Sequence, residues 1–226
     1  MQQKKILITG ATGNVGAEVV HYLSELDHES EIVVAVRNLE SAKKKFQAPP
    51  NLAFRLFDFE DQNSFEAAFK AIDVLFLLRP PHISEVDKYF MPLLKSAKNS
   101  GIKKVVFLSV QGAEKSKVIP HNKIERLIKS MGFKYIFVRP SYFMQNLTST
   151  LLSELQHDRS ITLPSGQAKF NWIDVKNIGE VSAVLMNSFE KYENKAFEIT
   201  GTENKNFKEV AEILSETTGV KFSFKS

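Results

Sequence analysis

The sequence predicts an α/β fold, a doubly wound parallel sheet with a small C-terminal portion on the substrate side. Three observations carry that prediction. Short apolar runs rich in Ile, Val, Leu and Phe alternate with longer amphipathic stretches, a glycine-spaced loop follows the first run directly, and the regular alternation stops near residue 140. The runs are continuous over at least part of their length, as expected of strands covered on both faces.

KILIT (5–9) is the first strand, and the helix after it, over 14–27, places Val15, Val19, Val20 and Leu23 in one apolar stripe. EIVVAV (31–36) precedes a helix over 39–46, LAFRLF (52–57) one over 62–71, and DVLFLL (73–78) one over 85–100. KVVFLS (104–109) leads to a helix over 121–131, and KYIFVR (134–139) closes the regular part. Beyond it come a helix near 143–156, a loop around Pro164–Gly166, a helix near 176–189, a strand FEIT and a helix near 206–218. The expected organisation is one domain over 1–226, with the core at about 1–140 and the substrate-side portion at about 141–226.

Composition narrows the function classes. The chain has 226 residues, 43% hydrophobic and 25% charged, which describes an ordinary globular interior. A net charge of +4 is mild and scattered, so no nucleic-acid or membrane partner is expected, while a phosphate-bearing small molecule suits it. With no cysteine, disulfides, thiolate catalysis and Cys-based zinc sites are excluded. The start MQQKKILITG holds neither a secretory signal nor a span, and the expected location is cytoplasmic. His21, His28, His82 and His157 show no metal-ligand spacing.

The candidate chemistry sits in the loops that follow the strands, because ligands of such sheets bind outside the strands' carboxyl ends. Gly10-Ala11-Thr12-Gly13-Asn14-Val15-Gly16 follows one strand and opens one helix. In that context glycines permit a tight turn and the helix N-terminus offers free N–H groups to a pyrophosphate, making the fold Rossmann-type. The end of the second strand reads Val36-Arg37-Asn38, with no acid for a ribose 2′-hydroxyl and with a guanidinium suited to a 2′-phosphate. NADP(H) is therefore expected in preference to NAD(H). Lys43 to Lys45 read as the wet face of a helix, and Asp58 either meets the adenine amino group or caps a helix.

GATGNVG, VRN, LRPP, LSVQGA and FVRPSYFMQN together resemble the NmrA-like group of atypical short-chain dehydrogenase/reductases, nearest its NAD(P)H:quinone oxidoreductase branch, over residues 4 to 190. The resemblance implies that Gly10, Thr12, Gly13, Asn14 and Val15 hold the pyrophosphate and Arg37 the 2′-phosphate. It implies further that Leu78-Arg79-Pro80 passes along the nicotinamide ribose and that Tyr142, Phe143 and Asn146 border the substrate. His121 falls where relatives resembling isoflavone reductases carry a catalytic Lys and the quinone reductase branch a His. Family members also carry a longer tail than Gly219 to Ser226, which would leave the substrate side more open here.

None of the five tyrosines stands four residues before a lysine, so the Tyr-x-x-x-Lys acid of the wider superfamily is absent. His121 and Glu125 share a helix face one turn apart, and His121 reads either as a proton donor near neutral pH or as half of a surface pair capping the helix after Pro120. Arg79 reads as orienting an anionic or carbonyl substrate, or as facing solvent. Asp174 reads as a cap or a structural hydrogen bond, and Phe170 and Trp172 as core or pocket lining. The expected function is NADPH-dependent hydride transfer to a quinone or similar small carbonyl compound, by a monomer or homodimer. Its alternative is a non-catalytic, NADP(H)-binding redox sensor. A nucleotide-sugar epimerase or dehydratase would need the absent Tyr-x-x-x-Lys.

Overall fold

A computed structural model of the chain describes residues 3–26, 29–46 and 51–226. His28 lies outside them. Contacts divide the chain into two compact units, one running up to Arg139 and including Lys176–Glu198, the other formed by Pro140–Val175 and Ile199–Ser226. The stretch expected as one C-terminal portion is thus divided, its long helix counting with the first unit.

The first unit carries β1 (Lys5–Ile8), β2 (Glu31–Val36), β3 (Leu52–Leu56), β4 (Val74–Leu78), β5 (Lys104–Leu108) and β6 (Lys134–Pro140). The helices between them are α1 (Asn14–Leu26), α2 (Leu39–Phe46), α3 (Asn63–Phe69), α4 (Val86–Asn99) and α5 (Pro120–Ser130). With a later strand, Lys195–Ile199, at one edge, the sheet has seven strands among the described residues, of which β3, β2, β1, β4, β5 and β6 lie side by side in that order. Their pairings are parallel, Ile6 standing opposite both Ile32 and Val74, and Leu75 opposite Val105. Chain order reverses between β1 and β4, which creates the crevice where such folds bind ligands.

Burial explains why these runs become central strands. Leu7, Val33, Leu75, Val105, Phe107 and Phe137 turn to one face, where they cluster with Phe65 and Phe69 of α3, Phe90, Leu93 and Leu94 of α4, and Ile124 and Ile128 of α5. Their neighbours Ile6, Ile8, Val34, Phe76 and Val106 are equally buried on the opposite face, where α1 packs on β1 and β2 with Val15, Val19, Val20 and Leu23 buried. Each fully buried Phe, Leu or Ile side chain contributes on the order of 1.5–3 kcal/mol of apolar transfer.

The second unit is built from shorter pieces. β7 (Tyr142–Phe143), β8 (Ser160–Thr162), β9 (Phe170–Ile173) and the short helix α6 (Leu152–His157) precede α7 (Val175–Asn187), α8 (Phe189–Tyr192) and β10 (Lys195–Ile199). β11 (Asn204–Lys205), α9 (Phe207–Thr218) and β12 (Ser223–Lys225) complete the chain. β11, β9 and β7 form one small sheet and β12 with β8 another. Tyr142, Phe170, Trp172, Phe207 and Phe224 pack edge to face, tilted or stacked at 4.8–6.1 Å between ring centroids, so Phe170 and Trp172 are core residues of this unit. A capping box between Asn206 and Glu209 starts α9.

The helix expected over 143–156 does not form as one piece. Phe143 pairs as a strand residue with Ile173, a single 3₁₀ turn follows at Met144–Asn146, and helix resumes only at Leu152. The hydroxyls of Thr148 and Ser149 donate back to the carbonyl of Gln145 (3.3 and 2.6 Å). Such local side-chain bonds compete with the helical ladder.

Candidate functional site

The loop from β1 to α1 is wound tightly. Gly10 adopts a left-handed backbone (φ 62°), and its carbonyl accepts the N–H of Gly13 at 3.0 Å. A Cβ on Gly16 would stand 2.2 Å from that carbonyl oxygen, so the helix can start against the turn only with glycine there. The Leu78 side chain of β4 lies against Gly10, 3.0 Å from where its Cβ would be. The Thr9 hydroxyl donates to the carbonyl of Phe76 (3.1 Å) and accepts the N–H of Leu78 (2.9 Å), tying the ends of β1 and β4 together at the crevice. Thr12, Gly13 and Asn14 are exposed while Val15 turns its side chain into the core. The first N–H groups of α1 have no partner within the helix and carry its positive partial charge, which fits an anion such as a dinucleotide's pyrophosphate.

Two basic residues flank this loop. Arg37 is exposed at the end of β2 and bonds to no side chain or backbone group among the described residues. Asn38 beside it caps α2 by accepting the N–H of Ser41 at 2.9 Å. Lys45, exposed on α2 like Lys43 and Lys44, also reaches back and donates to the carbonyl of Thr12 at 2.7 Å. Asp58 accepts the N–H of Glu60 through Oδ1 at 3.0 Å, a turn cap that leaves Oδ2 for other partners.

Arg79, the residue after β4, is half-buried and its guanidinium is bonded on two of its nitrogens. Its Nη1 donates to the carbonyls of Pro80, Pro81 and Ile83 at 3.0, 3.0 and 2.6 Å, and its Nε to Nε2 of His121 at 3.3 Å. Burial holds its pKa below the usual guanidinium value. His121, in the first turn of α5, packs its ring 6.1 Å from that of Phe107. Burial, then the charge of Arg79, lowers its pKa to about 4. The imidazole is therefore neutral at pH 7, which corrects the expectation of a protonated donor there. Since a guanidinium only donates, Nε2 accepts, and the imidazole proton sits on Nδ1.

Glu125 does not pair with His121 either. It is buried, accepts Nε and Nη2 of Arg139 at 3.0 and 2.6 Å in a fork, and accepts the Ser109 hydroxyl at 2.6 Å. Arg139 uses Nη1 for Glu114 at 2.7 Å. Its pKa is raised, first by the hydrogen bond to Glu125. Nearby, Nδ2 of the buried Asn122 donates to the carbonyl of Ala113 (2.9 Å) and fixes the loop that enters α5.

The remaining expected residues lie in the second unit. Tyr142 packs its ring in the aromatic cluster, burial raises its pKa, and its hydroxyl bonds to Asn146. Phe143 and Asn146 are half-buried. Gln145 donates to Asp174 and accepts the N–H of Val175, both at 3.0 Å, so Asp174 serves the start of α7 structurally. Among the described residues no group of three or more His, Asp or Glu side chains is placed to hold a metal, and no helix is long and apolar enough to cross a membrane.

The glycine turn, the crevice beside it and the strand order define a dinucleotide-binding fold, and the NmrA-like family matches residues 2–226. The chain belongs to the NmrA-like family. Among its curated relatives, Prestalk A differentiation protein A of Dictyostelium discoideum is 32% identical over 97% of this chain and 71% of its own length. The triphenylmethane reductase of Citrobacter sp., solved with NADP(H), superimposes with a TM-score of 0.81 at 23% identity, covering 99% of this chain and 79% of that one. The NADPH-dependent quinone oxidoreductase QOR2 of Escherichia coli, solved with NADPH, gives 0.82 at 22% identity, covering 98% and 77%. This NmrA-like chain stands near the quinone oxidoreductase branch of an oxidoreductase-type family.

Sequence reasoning missed three features of this NmrA-like chain. Lys45 carried no signal beyond its membership of a basic run. The Ser109–Glu125–Arg139 network was legible in principle, since two ionic residues on otherwise apolar, core-facing positions must find each other. The grip of Gln145 on α7 had no signature at all.

Proposed function

We propose that this protein is an NADPH-dependent oxidoreductase that reduces quinones or similar small carbonyl compounds by hydride transfer. The observation that carries the reading is the closed glycine turn at the switch point, with Gly16 pressed on the Gly10 carbonyl and α1 opening beside it. Gly10, Thr12, Gly13, Asn14 and Val15 would hold the pyrophosphate, and the unpaired Arg37 the 2′-phosphate, giving NADP(H) preference over NAD(H). Lys45 braces the loop from α2, Asp58 offers Oδ2 to the adenine amino group, and the Leu78-Arg79-Pro80 backbone runs along the nicotinamide side.

The reduced nicotinamide supplies the hydride when bound. The chain orients the reactants, excludes water and provides a hydrogen-bond donor that holds the acceptor in place. His121 fills that role through its neutral Nδ1–H, and bulk water delivers the proton that completes the hydroquinone. Tyr142, Phe143 and Asn146 belong to the same proposal as substrate contacts. The reading carries with it a single domain over residues 1–226, a cytoplasmic monomer or homodimer, and no nucleic-acid or membrane partner.

A second reading, a non-catalytic NADP(H) sensor, draws on one observation: burial and Arg79 lower the pKa of His121 to about 4, so this histidine is not a protonated acid at pH 7. Anaerobic fluorescence titration with NADPH and NADH, followed by a panel of quinones under absorbance, separates the two. Oxidation of bound NADPH by a quinone supports the reductase, and binding without oxidation supports the sensor. Gly16→Ala should abolish binding in either case, and retained binding would remove the basis of both.

A further inference from the structure

Arg79 carries a charge that nothing around it answers. Its Nη1 is held by three backbone carbonyls and its Nε by a neutral imidazole, and Nη2 has no partner among the described residues. Among the described residues no carboxylate pairs with it. Glu114 and Glu125 are engaged with Arg139 and Glu85 with Lys88. A half-buried guanidinium without a counter-charge keeps its desolvation cost, which is the cause of its lowered pKa. Three carbonyls on one nitrogen also fix its direction, as a receptor requires.

The position is as informative as the charge. Arg79 directly follows Leu78, whose side chain touches Gly10, so it stands on the rim of the crevice between β1 and β4. NADP(H) has two kinds of anionic group, and each already has a receptor, the pyrophosphate at the start of α1 and the 2′-phosphate at Arg37. A third cation at the same crevice addresses a third anion. His121 adds the unpartnered Nδ1–H to the Nη2 donors of Arg79.

We infer that Arg79 and His121 form a receptor for an anionic oxygen on the acceptor, so that the substrates are small electrophilic compounds carrying a carboxylate or sulfonate. The inference rests on the proposed reductase reading and names its substrate class. Arg79 becomes a substrate-binding residue, its backbone alone remaining with the cofactor.

Binding decides it without turnover. The native protein saturated with NADP⁺ is titrated by calorimetry with 2-naphthalenesulfonate and with 2-naphthol, the same rings without a charge at neutral pH. Because hydrogen bonds to charged groups are worth about 1.5–3 kcal/mol, the sulfonate should bind roughly tenfold or more tightly. Arg79→Gln and Arg79→Met, whichever keeps a native circular dichroism spectrum, should erase that preference when each variant is saturated with NADP⁺. In the native protein the sulfonate should shift the ¹⁵N resonance of His121 Nδ1 and the naphthol should not. The receptor is overturned if the native protein binds both compounds alike, if the preference survives the loss of Arg79, if the His121 resonance stays still, or if only NADP⁺ binding falls, in which case the anion is a cofactor phosphate. Failure of every quinone to oxidise NADPH while the sulfonate preference stands would sink the reductase reading and keep the receptor.

Discussion

Two arginines stand after or near the carboxyl ends of strands on either side of β5, Arg79 past β4 and Arg139 in β6, and the chain treats them in opposite ways. Arg139 is buried, forked onto Glu125 and joined to Glu114. Arg79 is half-buried and touches only neutral acceptors. The pKa of the first rises and that of the second falls. The difference separates an arginine that finishes the fold from one that leaves a valence for a ligand. Arg37, exposed and unbonded, repeats the second pattern in water.

The largest effect expected from this comparison is on stability at Arg139. Arg139→Met strands the buried Glu125 without its ion-pair partner and should cost about 3–5 kcal/mol, read from the denaturant midpoint. Arg79→Met, which strands no charge, should cost about 1–2 kcal/mol in the same assay. Equal losses would erase the distinction drawn here.

His121 supplies the next test. Its pKa of about 4, against 6.5 for the free side chain, means that below pH 6.5 the unfolded chain takes up a proton that the folded one refuses. Stability should therefore fall as the pH drops from 6.5 to 4, by about 3 kcal/mol at the end of that window. His121→Gln, which keeps an acceptor for Arg79, should flatten this slope. If the slope persists unchanged, His121 is not the neutral partner of Arg79.

Arg37→Ala should weaken NADPH binding by roughly tenfold and leave NADH unchanged, as measured by fluorescence titration. Glu40→Gln removes an exposed pair with Lys43 (3.5 Å) and should move stability by under about 0.5 kcal/mol, a floor for the series.

The regular part of this fold was legible because its strands are buried on both faces. EIVVAV and DVLFLL cannot be anything but central, and the glycine loop between a strand and a helix announces its own geometry. The short strands β7, β8, β9, β11 and β12 were not legible, since two to four residues carry no period and their partners lie 30 to 63 positions away. The site divides in the same way. Arg37 follows from a strand end, but the spacing of His121 and Glu125 suggested a mutual pair, and only the third dimension sends one to Arg79 and the other to Arg139. Helical spacing tells which residues share a face and not which strand end waits opposite.

The Arg139–Glu125 fork also limits what this scaffold can become. His121 and Glu125 have the spacing of a Tyr-x-x-x-Lys pair, so two substitutions would write that catalytic motif into α5. The introduced lysine, however, would point its ammonium at the guanidinium of Arg139, a like-charge encounter in a buried place. A tyrosine-dependent descendant therefore needs Arg139 replaced first, and that first step crosses the least stable intermediate. The route is open to a designer who changes all three residues at once and closed to a lineage that must keep folding one mutation at a time.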